Sequence, residues 1–288
     1  MQFIKKKWLI TPYFKYLSIA LLTIIYLPLL LHWYDGWLHK TISIEHEYFS
    51  HGMIGLPFAF HISWLKRKQW HKLTDTNNYL GAILLVFGIF LYLTGVGELV
   101  NLSLPIILTG ICLWLKGVSG LKLQTFPLLL LLLATPNSLP YLITPFTLPL
   151  QKFIAIAAGF ILLQFNLDVS VEQIYIAVEG NIVEVAPYCA GLKMLFTSSY
   201  VALMLLYWTG KIRDRVSVIL LLISSIVISI VANIIRNTML AFFHGTNQEQ
   251  LFVWLHDSWG GDLYSALMLA SILLTLNLIE KFDTPSKN

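Results

Sequence analysis

Three residues in the last third of the chain have side chains that together could carry out acyl transfer. Cys189 lies in the segment PYCAGLK, Arg236 in NIIRN and His256 in HDSWGGD. A cysteine thiolate is a nucleophile, and a histidine can accept its proton and later protonate a leaving amine. An arginine stays protonated, so it can hold a substrate carboxylate or stabilise an oxyanion. These residue types predict cleavage of a peptide bond, or transfer of the acyl group to another nucleophile.

Cys189 needs help to ionise near neutral pH, because the pKa of a free cysteine is about 8.5. The apolar run after it predicts that a helix starts close by, and a helix N-terminus favours negative charge by about 0.3–1 kcal/mol. Gly191 is interpreted as a position of close approach between helix backbones. A single cysteine at a helix end also has a purely structural interpretation, which spacing does not exclude.

Arg236 is unusual in an apolar helix, since an arginine at the membrane centre costs about 2.5–3.5 kcal/mol on insertion scales. Helical spacing puts Asn233, Asn237 and His244 on the same face as this arginine. A polar stripe of this kind in a membrane helix predicts a functional role. His244 is a second candidate for the base, and spacing alone does not choose between His244 and His256.

The composition is that of a membrane protein. Hydrophobic residues make up 57% of the 288 residues and charged residues only 12%, whereas soluble domains have roughly 25% charged residues. The mean hydropathy is +0.73, and several apolar blocks approach the roughly 20 residues that cross about 30 Å of hydrocarbon. The sequence therefore predicts one all-α polytopic integral membrane domain over residues 1–288.

Eight apolar segments are predicted to cross the cell membrane. The positive-inside rule puts the basic loops, residues 1–8 and Lys281 in the cytoplasm, provided that residues 141–165 do not cross. Residues 141–165 are therefore predicted to form an interfacial helix or a re-entrant piece on the outer side, with both termini cytoplasmic. The predicted spans are residues 14–34, 49–65, 79–96, 100–115, a segment that begins near 126, and residues 189–208, 216–236 and 259–280.

This topology puts the three candidate residues on the extracytoplasmic face. Cys189 stands at the start of the sixth span, Arg236 at the end of the seventh, and His256 just before the eighth. Residues 167–186 alternate between apolar and polar around a Glu-Gly-Asn turn, which predicts a small β-hairpin outside the bilayer. The outer part is thus residues 141–188, and the catalytic helices occupy residues 189–280.

No cofactor or metal is predicted. Glu45, His46, Glu47 and His51 are close in sequence and of metal-ligating types, but they lack HExxH spacing. No phosphate-binding glycine loop or dinucleotide fingerprint occurs. The net charge of +4 lies mainly in short loops, where it sets topology. The lipid bilayer, rather than a nucleic acid, is therefore the predicted partner. Cys112 lies in an apolar run and is interpreted as a core residue.

The motifs in combination resemble the exosortase/archaeosortase family of membrane transpeptidases, and most closely its cyanobacterial branch, the cyanoexosortases. The likeness covers most of the chain beyond residue 45. It rests on CAGL from Cys189, NIIRN around Arg236 and HDSWGG from His256. The segment EYFSHG with His51, the segment LPLQ at 148–151 and the hairpin also fit. Ala190 is a departure, because many members have a serine there.

The resemblance implies that Cys189 is the nucleophile, His256 the base and Arg236 the stabilising cation. It favours His256 over His244, because the matching histidine precedes a glycine and begins the last span. It further implies a thiol protease or transpeptidase that acts on exported proteins with a C-terminal sorting tail. Such a tail has a Pro-Glu-Pro-type motif, a membrane helix and a basic end. The supporting residues in this interpretation are Asn233, Asn237, His244, Gly191 and His51.

Two other classes of function remain open at this point. A polytopic carrier that binds an anionic ligand at Arg236 predicts that Cys189→Ser is harmless. The chain has no detectable inverted repeat, which argues against a carrier. A non-enzymatic envelope assembly factor predicts that substitutions of Cys189, Arg236 and His256 are all tolerated.

Overall fold

The structure, a computed structural model, describes residues 12–38, 48–186 and 191–283. Cys189 and residues 45–47 therefore lie outside the described residues. The described part is mostly helical, with two short 3₁₀ turns and one small β-sheet, as the composition predicts. Its helices are α1 Pro12–Leu38, α2 Gly52–Leu65, α3 Arg67–Lys72, α4 Tyr79–Leu93, α5 Gly97–Ala134, α6 Leu139–Ile143, α7 Leu148–Leu163, α8 Leu192–Trp208, α9 Arg215–Gly245, α10 Glu249–Asp257 and α11 Trp259–Asp283.

The longest helix, α5, is a hairpin of two antiparallel halves. Gly117 interrupts it with φ 59° and ψ −154°, a backbone conformation that glycine adopts without a Cβ penalty. The side chain of Asn101, near the start of α5, donates to the carbonyl oxygen of Pro136 beyond its end at 3.0 Å. Leu104 and Leu131 belong to one buried cluster. Both ends of α5 therefore lie at the same face of the molecule.

Four helices of the described part are long and apolar enough to cross a membrane. The bent pair of residues 139–146 and 148–163 would make a fifth span. The apolar helices α2, α4 and α8 have only 14, 15 and 17 residues, whereas about 20 residues cross the hydrocarbon. Length and composition thus support four or five spans, counting α5 once, and the predicted number of eight is not confirmed.

Residues 139–163 are the segment that was predicted to remain on the outer side. Two helical pieces, residues 139–146 and α7, meet there at an angle of 60°, which is the geometry of a broken span or of a re-entrant loop. Prolines at 140, 145 and 149 explain the break, because a proline cannot donate the backbone hydrogen bond that a continuous helix needs. That this segment does not cross the bilayer stays a prediction.

The predicted β-hairpin is part of a larger element, a three-stranded antiparallel sheet in the order β1 (Val169–Glu172), β2 (Tyr175–Val178), β3 (Asn181–Glu184). Glu179 and Gly180 join β2 to β3 with φ of 50° and 86°, as a type I′ turn requires. Gln173 turns the chain between β1 and β2 with φ 56°. That turn has no glycine, asparagine or proline. The sequence pattern therefore did not indicate that β1 is a separate strand, which pairs with β2.

The sheet is fastened between α7 and the end of α9. The amide of Gln151 in α7 donates to the carbonyl oxygen of Val185 at 2.9 Å. Asn181 donates to the carbonyl oxygens of His244 and Gly245 at 3.4 and 3.3 Å. A buried core lies between these elements. Its fully buried members include Ile154, Ala158, Leu162, Ile176, Val178 and Ala241.

Helix α9 is longer than the span of residues 216–236 that the sequence predicts. It ends at Gly245, so Arg236 lies nine residues before the end of the helix, and that the membrane span itself closes at Arg236 stays a prediction. The helix continues past Arg236 because Leu240 and Ala241 are buried at 2% and 0% exposure. At the other end Asp214 accepts hydrogen bonds from Ser217, which lower the pKa of its carboxyl.

Candidate functional site

The turn of α9 that carries Asn233 and Arg236 is contacted by the first residue described after Cys189. Gly191 precedes α8 with φ 79°, in the left-handed region that favours glycine. A Cβ atom on Gly191 would lie 2.7 Å from Cγ and 2.8 Å from Nδ2 of Asn233. The start of α8 therefore rests directly on the Asn233 side chain, and only a glycine fits between them.

The first turns of α11 approach the same part of α9 from another side. A Cβ atom on Gly261 would lie 3.0 Å from the carbonyl oxygen of Leu255 and 3.9 Å from Nη2 of Arg236. The hydroxyl of Tyr264 donates to the carbonyl oxygen of Ala232 at 2.5 Å. These contacts fix the first turns of α11 to α9 near Arg236.

The two candidate histidines flank one phenylalanine. His256, in the last turn of α10, stacks on Phe252 with a centroid distance of 5.4 Å and an interplanar angle of 6°. His244 contacts the same ring at 5.4 Å, and its Nδ1 lies 3.7 Å from a carboxylate oxygen of Glu249. Both histidines thus belong to one aromatic group beside the end of α9, and this geometry alone does not choose between them.

The polar stripe of α9 is buried, and part of it lacks hydrogen-bond partners. Asn233 and Asn237 are 1% and 3% exposed, and Nδ2 of Asn237 donates to the backbone oxygen of Asn233 at 2.9 Å. Six buried side-chain atoms have no hydrogen-bond partner in the described part of the chain, and half of them are on α9. These three are Nδ2 of Asn233, Nε of Arg236 and Nδ1 of His244.

Arg236 is half-buried and makes no salt bridge within the described ranges. An arginine side chain stays protonated, so without an internal salt bridge its N–H groups remain donors for another group. Electrostatically, the site is therefore a fixed cation beside an amide donor, an arrangement suited to a developing negative charge.

His51, a predicted supporting residue, lies elsewhere. Its Nε2 is 3.1 Å from the carbonyl oxygen of Leu133, and its ring lies 4.4 Å from that of Tyr200. Tyr200 is nine residues after Gly191 in α8, or about 13 Å of helical rise. The fold thus brings Gly191, Asn233, Asn237 and Arg236 together with the chain after His256, but it places His51 in the packing between helices.

One comparison with known proteins decides the family. The family model described as transmembrane exosortase (Exosortase_EpsH) matches residues 18–273. The chain belongs to the transmembrane exosortase family. No curated protein and no solved structure matches the chain. Exosortases are membrane proteins that process sorting signals of exported proteins, in general as cysteine peptidases or transpeptidases. The predicted resemblance to the family is confirmed, and the cyanobacterial branch stays a prediction.

Two residues that hold the site of this exosortase together were missed by the sequence analysis. Phe252 is four residues before His256, and that spacing on a helix could have indicated the contact. Tyr264 bonds to α9 across 32 residues of sequence, and no local pattern indicates such a contact. Within the described ranges, no group of three His, Cys, Asp or Glu side chains is arranged to hold a metal ion.

Proposed function

We propose that this exosortase is a thiol-dependent transpeptidase or protease in which Cys189 is the nucleophile, His256 the general base and Arg236 the stabilising cation. One observation supports the proposal above others. Gly191, two residues after Cys189, packs on Asn233, and Gly261, five residues after His256 in the first turn of α11, lies near the guanidinium of Arg236. Two peptide units separate Cys189 from Gly191, so their Cα atoms are at most about 7.6 Å apart in any conformation.

The reaction follows from the chemistry of these groups. His256 takes the thiol proton of Cys189, and the thiolate attacks the carbonyl carbon of the scissile peptide bond. The C–N bond then breaks, and the amine leaves with the proton that His256 returns. Water or an acceptor nucleophile afterwards attacks the thioester and releases Cys189. Arg236 stabilises the oxyanion that forms in both halves of the reaction.

The proposed substrates are exported proteins whose C-terminal tail has a Pro-Glu-Pro-type motif, a membrane helix and a basic end. The tail helix would lie beside α8, α9 and α11 and present its motif on the extracytoplasmic face, with the basic end in the cytoplasm. The motifs of the chain favour the cyanobacterial branch, although Ala190 stands where many members have a serine.

Co-expression with a tailed substrate tests the proposal. Cys189→Ala is expected to abolish the size change of the substrate, while the protein still inserts into the membrane. Cys112→Ala is the matched control, because Cys112 is the other cysteine and is buried in α5; it is expected to process normally.

The same experiment separates the competing functions. Normal processing by Cys189→Ala would refute the proposal. A carrier with an anion site at Arg236 would tolerate Cys189→Ser and lose function with Arg236→Ala, whereas an assembly factor would tolerate both.

A further inference from the structure

We propose that Asn233 is a further catalytic residue, whose side-chain N–H binds the substrate's carbonyl oxygen as it becomes negatively charged, together with the Nε–H of Arg236. This inference rests on the proposed function of Cys189 and gives that chemistry a second donor. Arg236 alone supplies charge, whereas Asn233 supplies a neutral donor in a fixed direction.

The hydrogen bonds of Asn237 fix the orientation of the Asn233 amide. Nδ2 of Asn237 lies 2.9 Å from the backbone oxygen of Asn233, and a carbonyl oxygen can only accept, so this atom of Asn237 must be the nitrogen. The same nitrogen lies 3.3 Å from the side chain of Asn233. The atom of Asn233 that faces it must therefore be Oδ1, because two amide nitrogens would both be donors.

This orientation directs Nδ2 of Asn233 toward Gly191. The distance from Nδ2 to a Cβ atom on Gly191 would be only 2.8 Å, so no side chain at position 191 covers this donor. Asn233 is 1% exposed, and its Nδ2 has no partner in the described part of the chain. Buried amides in folded proteins are nearly always hydrogen-bonded, so an exception calls for an explanation, and a catalytic role is one.

Arg236 provides the second donor of the pair. It is three residues after Asn233 and so lies on the same helix face, and its Nε is likewise buried without a hydrogen-bond partner among the described residues. Two open N–H donors on adjacent turns of one helix, beside the residue that follows the Cys-Ala pair, match what an oxyanion needs. Such donors act strongly because they are held in place before charge develops.

The two donors assist the formation and the collapse of the tetrahedral intermediate. Attack of the Cys189 thiolate forms a C–S bond, and the π electron pair of the carbonyl moves onto its oxygen. The Asn233 and Arg236 N–H groups donate to this oxyanion. Its collapse re-forms the C=O bond and expels the amine, which receives a proton from His256. The same donors serve again when water or the acceptor attacks the thioester.

The test uses full-length protein in detergent with a tailed peptide, in a Cys112→Ala background so that Cys189 is the remaining cysteine. Asn233→Leu, which has a similar size but no donor, is expected to lower kcat by about 10²- to 10³-fold. KM is expected to stay within about twofold, since the interaction forms only in the transition state. Asn233→Ala is the second variant in case the leucine disturbs packing. Ser229→Ala is the control, because Ser229 is equally buried in α9 one turn earlier.

Alkylation of Cys189 by iodoacetamide separates this role from a structural one. Alkylation forms no oxyanion, so its rate is expected to match that of the unsubstituted protein. Wild-type kcat in both Asn233 variants would overturn the inference. A loss of alkylation that parallels the loss of kcat would also overturn it, because Asn233 would then act by holding Cys189 in place and not by binding the oxyanion. Processing by Cys189→Ala, in contrast, would overturn the proposed function itself.

Discussion

The Trp33–Asn101 and Tyr26–Ser103 pairs between α1 and α5 and the polar residues of α9 lie in apolar helices, but they differ in how their hydrogen bonds are completed. Trp33, which is fully buried, donates to Oδ1 of Asn101 at 2.7 Å. The amide of Asn101 donates onward to Pro136, and the hydroxyls of Tyr26 and Ser103 are 2.8 Å apart. Each of these groups has a partner, and together they tie α1 to the α5 hairpin.

On α9 the corresponding donors are left open. Nδ2 of Asn233 and Nε of Arg236 have no partner in the described part of the chain. An unsatisfied buried donor costs about 1–3 kcal/mol, and folding gains nothing from that cost. The first group is therefore part of the scaffold, whereas the second leaves buried donors without a described partner, which is what the proposed oxyanion role requires.

Arg236→Gln should give the largest effect. We expect processing of a tailed substrate to fall at least about 100-fold, because a charged donor to the oxyanion is lost. The thermal midpoint in detergent should stay unchanged or rise, since the guanidinium has no described partner. A variant that unfolds instead of losing activity would show that Arg236 is as structural as Asn101, and the contrast between the two groups would disappear.

Gly191→Ala should have the next largest effect. Its φ of 79° imposes strain of about 1–2 kcal/mol on a residue with a Cβ, and the Cβ also collides with Asn233. Gly210→Ala is the matched control, because Gly210 has φ 75° and no atom within 4 Å of a Cβ. Processing rates should fall by about 10- to 100-fold only at position 191, since small displacements at a reacting centre are costly. Equal rates in the two variants would rule out the contact as a functional one.

Asn101→Ala should affect stability rather than activity. It leaves the indole of Trp33 and the carbonyl of Pro136 without a partner, so the free energy of unfolding should fall by about 1–3 kcal/mol. Denaturant titration in mixed micelles measures this loss. Activity per folded molecule should not change, and a fall in activity would place the α1–α5 group in the catalytic machinery.

The class of protein, the family and most helices could be predicted from the sequence, because long apolar blocks and combined motifs are local signals. The end of α9 could not. Beyond Arg236 the helix is supported by Ala241, which packs under a sheet that is distant in sequence, and a contact of this kind has no local signal. Strand β1 was not predicted as a separate strand for a similar reason, since Gln173 adopts a turn conformation that its residue type does not indicate.

The candidate residues of the site were partly predictable, but their hydrogen bonds were not. Spacing put Asn233, Arg236 and Asn237 on one face. The amide of Asn237 is satisfied within α9, whereas that of Asn233 lies against Gly191 without a partner in the described part of the chain. Asn233 and Gly191 are far apart in the chain, so the choice of Asn233 as a donor required the structure.

The fastening of the sheet has a consequence for the segment that carries Cys189. Val185, at the end of the sheet, is held by Gln151, and Gly191 is held against Asn233. Five residues, 186–190, join these two anchored points. Short tethers give attached groups effective concentrations in the millimolar range or higher. For the proposed nucleophile Cys189, anchoring at both ends would therefore raise the effective concentration of the thiol at Asn233 and Arg236, although the sheet itself takes no part in the reaction.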